Sequence, residues 1–403
     1  VRLFPFSFSD MTVAKGRFGW LVWGAAFLIS AQAFAEERRY GGQTVLEWHE
    51  RIKNESLQEM ARPDVVAGLL EIVNDPQAGW ANRRQAALTL GRIGAPAAAA
   101  VPDLIRLLNS GERDATATRM WALRALALLG TAAADATTAV AGIINDQNEP
   151  FFVQATALET LGCIGKDRPE TLPVLLAALQ SDQQRPVNGN NELRMAAAEA
   201  MGLLGPAAAA AIPELIRALH SDWGLLQRAA AESLGRIGPQ AELAAPNLAD
   251  VVLFSTAEEA REAAAEALAL VGESGISILE KLSRDEEPDV RRLSIRGLAK
   301  CPAIPSVQSR LMTLLDDAEP ANQVVAAQAL LNRQLEKERA VSVLIDLLGA
   351  EDRSTRQLAY RVLSARPELL RGSAERLQEL AHDQHAPTTS RTAALKLLRF
   401  LGP

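Results

Sequence analysis

A short phrase ending in glycine returns along the chain: LGRIG at Gly94, LALLG at Gly130, LGCIG at Gly165, MGLLG at Gly205, LGRIG at Gly238 and LALVG at Gly272. The gaps are 36, 35, 40, 33 and 34 residues. A period in this range marks stacked supersecondary units rather than one globular core. Eleven residues before these glycines stand Arg83, Arg119, Arg194 and Arg261, with Gln154 and Gln227 in the same slot of the other two. Beyond Gly272 the slot continues at Arg291, Gln323, Arg356 and Arg391, which makes ten units. Pro302 and Pro367 replace two lost glycines and stop the helix by another route.

Each unit holds two apolar-periodic segments. IPELIRAL and RAAAESLGRIG, joined by SDWGLLQ, show the pattern around Trp223. Leucines and alanines three and four apart fall on one helix face, and neither helix can bury that face alone. Aromatics are only 4% of the chain, which suits close helix packing and not strands. The predicted fold is all-α, an α-solenoid (superhelix) of about ten two-helix repeats. GAPAAAAVPDLIRLL at 94–108 and GPAAAAAIPELIRAL at 205–219 are its corners. The first lacks the glycine-rich run and Lys-Ser/Thr end of a phosphate loop. Its glycine turns the chain out of one helix, and its proline sets the next helix's first turn.

These features resemble the HEAT repeat family, in the short bacterial form related to phycobilisome-lyase HEAT-like repeats. The resemblance rests on VPDLIRLLNS…TRMWALRALALLG at 101–130, IPELIRALHS…QRAAAESLGRIG at 212–238 and DEEPDVRRLSIRGLAK at 285–300. It covers about residues 60–403 and implies the fold, on which many functions are built. It also implies that the slot arginines reach acidic turns such as DEEPD at 285–289, forming a ladder with gaps at Gln154, Gln227 and Gln323. YGGQTVLEWHERI at 40–52 resembles the opening segment of exported bacterial HEAT proteins. In it Leu46, Trp48 and Ile52 are expected to cover the open end of the stack, with residues 36–59 as an N-terminal cap.

Residues 1–35 read as an export signal, in which Met11 is the expected true start. Lys15 and Arg17 precede the apolar run at 18–30, and Ala33 and Ala35 suit a cleavage site. Cleavage after Ala35 and retention as a membrane anchor are both open, and only the second would bring a membrane contact. The expected location is the periplasm or cell envelope. Cys163 and Cys301 sit in apolar helical phrases and are expected to be buried free thiols.

The net charge of −7 argues against a nucleic-acid partner. Catalytic motifs are absent, so no catalytic, cofactor-binding or metal-binding residues are assigned and no cofactor is expected. His382 and His385 would need a third ligand to hold a metal. The remaining candidates are partner contacts. Trp80, Phe151, Phe152 and Trp223 occupy turns before the second helices, and aromatics there can anchor a protein interface. The turn at 181–194 is longer than its peers and reads as a loop. The second helices are expected to line the concave face, with Glu199, Glu232 and Arg236 at exposed positions there. The leading functional reading is a non-enzymatic exported scaffold that binds a protein partner along the solenoid. The alternatives are an accessory component of a cell-envelope assembly and a lyase-like or metal-dependent enzyme.

Overall fold

The computed structural model describes residues 38–110, 115–181 and 187–401. Residues 1–35, read as an export signal, lie outside the described residues. The chain divides into two compact units, one up to Ile164 and one from Gly165 onward.

The N-terminal unit opens on a hairpin, β1 (Arg39–Tyr40) and β2 (Gln43–Thr44), followed by α1 (Val45–Asn54) and α2 (Leu57–Met60). Three helix pairs follow: α3 (Pro63–Asn74) with α4 (Trp80–Ile93), α5 (Val101–Leu108) with α6 (Ala115–Leu129), and α7 (Thr137–Asn145) with α8 (Phe151–Ile164). The C-terminal unit contains seven more pairs. They are α9 (Thr171–Gln180) with α10 (Val187–Leu204), α11 (Ile212–Leu219) with α12 (Gly224–Ile237), α13 (Ala245–Phe254) with α14 (Glu258–Leu268), and α15 (Glu273–Leu282) with α16 (Pro288–Lys300). The last three are α17 (Pro305–Thr313) with α18 (Pro320–Asn332), α19 (Lys337–Leu347) with α20 (Arg353–Ser364), and α21 (Ala374–His382) with α22 (Thr388–Arg399). Both units are therefore all-α solenoids of stacked helix pairs, ten pairs in all among the described residues.

The second helix of each pair packs on its own first helix and on the second helices next to it. In the N-terminal unit α6 lies between α4 and α8. In the C-terminal unit the row runs from α10 through α12, α14, α16, α18 and α20 to α22. Leu90, Leu126 and Leu158 in one row, and Leu234, Leu268 and Leu298 in the other, are wholly buried. The first glycine of the repeated phrase sets the spacing. A Cβ at Gly91 would stand 2.8 Å from the Ala125 carbonyl oxygen, and one at Gly202 only 2.5 Å from Ser233 Oγ. The gap at Gly202 is used: Ser233 Oγ donates to the Ala198 carbonyl at 2.7 Å.

The second glycine makes the corner. Gly94 ends α4 at φ 77°, where a side chain would be strained. Ala95–Ala100 then form a 3-10 turn, and Pro102 lies in the first turn of α5. Two stretches, Ala115–Asn145 and Asn190–Leu219, have the length and apolarity of a membrane span. Each is two repeat helices joined through a 3-10 corner, at Gly130–Ala136 and Gly205–Ala211.

The hairpin and α1 close against α3. Trp48 is buried, its Nε1–H donates to the Tyr40 carbonyl at 2.9 Å, and the Tyr40 hydroxyl donates to Asp75 Oδ2 at 2.9 Å. The Trp48 ring lies flush on Gly68 of α3. Leu46 does not share in this contact: it is 61% exposed, contrary to its expected role. It sits two residues before Trp48 on α1, so a helix that turns Trp48 inward turns Leu46 to solvent. Cys301 is buried and Cys163 half-buried, both free, and burial pushes the Cys301 thiol up to about 11.

A Cβ on Gly68 would approach Trp48 Cζ2 to 2.4 Å. Gly68→Ala is therefore expected to destabilise the N-terminal unit by about 1–3 kcal/mol through overpacking. Urea unfolding followed by tryptophan fluorescence checks this, and an unchanged midpoint would contradict it.

Candidate protein-binding surfaces

The slot residues serve the scaffold, only some of them through the expected ladder to acidic turns. Arg83, Arg194 and Arg261 donate Nε–H to the carbonyls of Val73, Leu179 and Val252 at 2.9, 3.1 and 2.8 Å. Those carbonyls belong to the last turns of α3, α9 and α13, where a helix has no internal donors left. A cation also suits the negative end of the helix. Gln154 does the same uncharged, donating to Ile144 and Asp146 carbonyls at 3.0 and 2.7 Å. Gln323 likewise donates to the Asp317 carbonyl at 2.7 Å, whereas Gln227 accepts from the Ser255 hydroxyl at 2.6 Å. Three arginines do reach carboxylates: Arg119 meets Glu149 at 3.2 Å, Arg261 meets Glu258 at 3.5 Å, and Arg291 grips Asp317 of the DDAEP turn with two bonds of 2.9 and 3.0 Å.

The four aromatic candidates have different surroundings. Trp80 opens α4 and is 62% exposed. Phe151 and Phe152 open α8, are 43% and 47% exposed, and meet edge-to-face at 5.9 Å. These three mark the same end of second helices in the N-terminal unit. Trp223, in the C-terminal unit, is half-buried at the N-cap of α12. Trp121, by contrast, is buried beneath the Arg83 guanidinium, 5.8 Å from its ring centre.

The stretch 181–194 is not a loop throughout. Residues 182–186 lie outside the described residues, and from Val187 the chain is already α10. NELRMAAAEAMGLL supplies good helix formers, and these extend the helix backward into the polar stretch. His382 and His385 are exposed, with the His382 ring held against the Gln378 carbonyl. Among the described residues no group of three His, Cys, Asp or Glu side chains is placed to hold a metal.

The outer face of the second helices in the C-terminal unit carries organised charge. Arg228 lies between Glu199 of α10, at 3.7 Å, and Glu232, at 3.6 Å, while Arg236 meets Glu232 at 3.5 Å. Farther along, Arg292, Arg296 and Lys300 of α16 pair with Glu258, Glu262 and Glu266 of α14. Sequence reasoning missed this set, although three acids and three bases each spaced by four, and offset by 34 residues, were visible signals. Between α12 and α14 lies an open groove of about 530 Å³. Its charged lining is Arg228 and Arg236 against Glu232, Glu259, Glu262 and Glu266.

With this geometry established, comparison with known proteins places the fold. The family model described as HEAT repeats matches residues 188–269, and the one described as PBS lyase HEAT-like repeat matches 83–110. No curated protein matches the chain. Among solved structures it is similar to the CpcE–CpcF complex of phycocyanin lyase from Nostoc sp. PCC7120, at 20% identity and TM-score 0.36, over 66% of this chain and 94% of that one. It is also similar to importin beta, at 15% identity and TM-score 0.47, over 94% of this chain and 57% of that one. The import receptor Kap95p gives 14% identity and TM-score 0.48, over 86% of this chain and 52% of that one. The chain thus spans about half the length of these two receptors.

The expected periplasmic or cell-envelope location is corrected here. The solved structures named above include nuclear-import proteins, and the exported assignment is withdrawn. It rested on residues 1–35, outside the described residues, and on the resemblance of residues 40–52 to the opening segment of exported proteins.

The Arg291–Asp317 pair yields a stability test. Burial pushes the Asp317 carboxyl up, but the Arg291 guanidinium, the Glu319 N–H and the Asn322 amide outweigh it and hold the group below its ordinary value. Its stabilisation is therefore complete above the ordinary carboxylate range near about pH 4 and is lost as pH falls through the lower folded value. Asp317→Ala, which strands a half-buried guanidinium, is expected to cost about 3 kcal/mol at neutral pH. The loss should shrink in acid, as read by urea unfolding at pH 7 and pH 3; a pH-independent loss would contradict the pairing.

Proposed function

We propose that the protein is a non-enzymatic scaffold that binds a protein partner along its solenoid surface. The observation that carries this reading is the exposed aromatic set at the ends of the second helices, Trp80 on α4 with Phe151 and Phe152 on α8. Large aromatics supply the strongest anchors of protein interfaces, and the stack has no structural use for rings that stay outside it. Repeat surfaces spread such contacts over several units.

The test is affinity capture from the native source with chemical cross-linking, comparing the intact chain with Trp80→Ala and Phe151→Ala/Phe152→Ala. A cross-linked partner whose affinity falls about 30-fold in these variants, as for interface anchors, is the expected outcome. Circular dichroism should show folding unchanged. Equal recovery of every cross-linked protein by variant and intact chains would remove the aromatic set as the binding surface.

A further inference from the structure

The last two second helices, α20 and α22, enclose an open groove of about 810 Å³ whose charge is the reverse of the one between α12 and α14. Its lining includes Arg353, Arg356, Arg361 and Lys396, and no carboxylate. Arg356 is committed to the scaffold, donating to the Ala350 and Glu351 carbonyls at 2.7 Å. Arg353, Arg361 and Lys396 have no carboxylate partner among the described residues. Asp352, the acid next to Arg353, is turned to its own helix: it accepts from the Thr355 N–H and hydroxyl, both at 2.8 Å, and its carboxyl is held well below the usual range by these bonds and that from Ser354.

The register shows what has changed. In α16 the residue five beyond the slot is Arg296, and it pairs with Glu262, one beyond the slot of α14. In α22 the residue five beyond the slot is Lys396, and the matching place on α20 is Gln357. Both line the groove. The acid that would neutralise Lys396 is thus an amide, and α20 adds Arg361 at the equivalent of Lys396. Like charges gathered in a lining that holds no carboxylate raise the potential between the helices and reward an anion entering there.

We infer that the α20–α22 groove binds an extended acidic peptide segment of a protein partner. Arg353 and Arg361 are eight residues apart on one helix, about 12 Å along its axis. Carboxylates four residues apart on an extended chain are about 13 Å apart, so one peptide can meet both. Tyr360, Leu348 and Ala393 add apolar surface for its other side chains. A nucleic acid fits less well. It needs a long basic stripe, whereas this groove is short and belongs to a chain of net charge −7. The inference stands on the charges of the C-terminal unit alone, so failure of the aromatic set leaves it intact.

Fluorescence polarisation with a labelled twelve-residue peptide, carrying Glu at two positions four apart among Ser and Gly, tests it. The full chain should bind this peptide and not its Gln counterpart, and 0.5 M NaCl should weaken binding. Arg361→Glu and Lys396→Glu should each weaken it about tenfold, while Lys337→Glu, an exposed change outside the groove, and Trp80→Ala leave it unchanged. Melting curves matching those of the unaltered chain confirm that the variants fold. Equal binding of the Gln peptide, insensitivity to both groove variants, or displacement by inorganic phosphate at the peptide's carboxylate concentration would overturn the inference. So would a single-stranded oligonucleotide binding the groove as tightly as the peptide.

Discussion

The structure depends on close contact between consecutive second helices. No pair has enough apolar surface to form a core by itself. Leu226 and Leu234 of α12, for example, are wholly buried where α10 and α14 lie on either side of it and α11 packs against it. Small residues permit the approach: Gly202 faces Ser233, and Gly235 faces Ala267 with only 3.2 Å for an added Cβ. Stability in such an array is shared between neighbours, which explains why the repeated phrase keeps glycine or alanine at its second place and apolar residues at its first and fourth, and varies freely only at its third.

The charged outer face follows from that packing. Once the inner stripe of each second helix is fixed by burial, the opposite stripe is free to vary in charge without disturbing the core. Adjacent helices at repeat spacing bring those stripes within ion-pair reach, as at Arg292 and Glu258. One array can therefore present neutralised, acidic and basic grooves in succession, and partner preference becomes a matter of a few side chains at fixed register.

Much of the fold was legible in the sequence. IPELIRAL is α11 residue for residue, and Gly94 makes the turn its position called for. Both signals are local, since a proline in the first turn and a positive φ act through the backbone itself. The slot arginines were legible as structure, but which of them would reach an acidic turn was not. A guanidinium can bond a carboxylate or a carbonyl, and only the folded distance to Val73 or Leu179 decides. The helical start of α10 was hidden because polar residues fit a loop and a solvated helix turn equally well. At the binding surfaces, residue type was readable and placement less so: Trp80 stands out while Trp223 is half-buried, though both precede second helices. The α20–α22 groove was missed because its signal is an absence, the acid missing at Gln357, which has meaning only against the Glu262–Arg296 pair.

Hydrogen exchange on the Gly202→Val chain tests the central dependence most directly. A valine there must push α10 and α12 apart. The account expects faster exchange in both of these helices together, with α20 and α22 protected as in the unaltered chain. Faster exchange confined to α10, with α12 unaffected, would contradict the claim that each repeat is held by its neighbour.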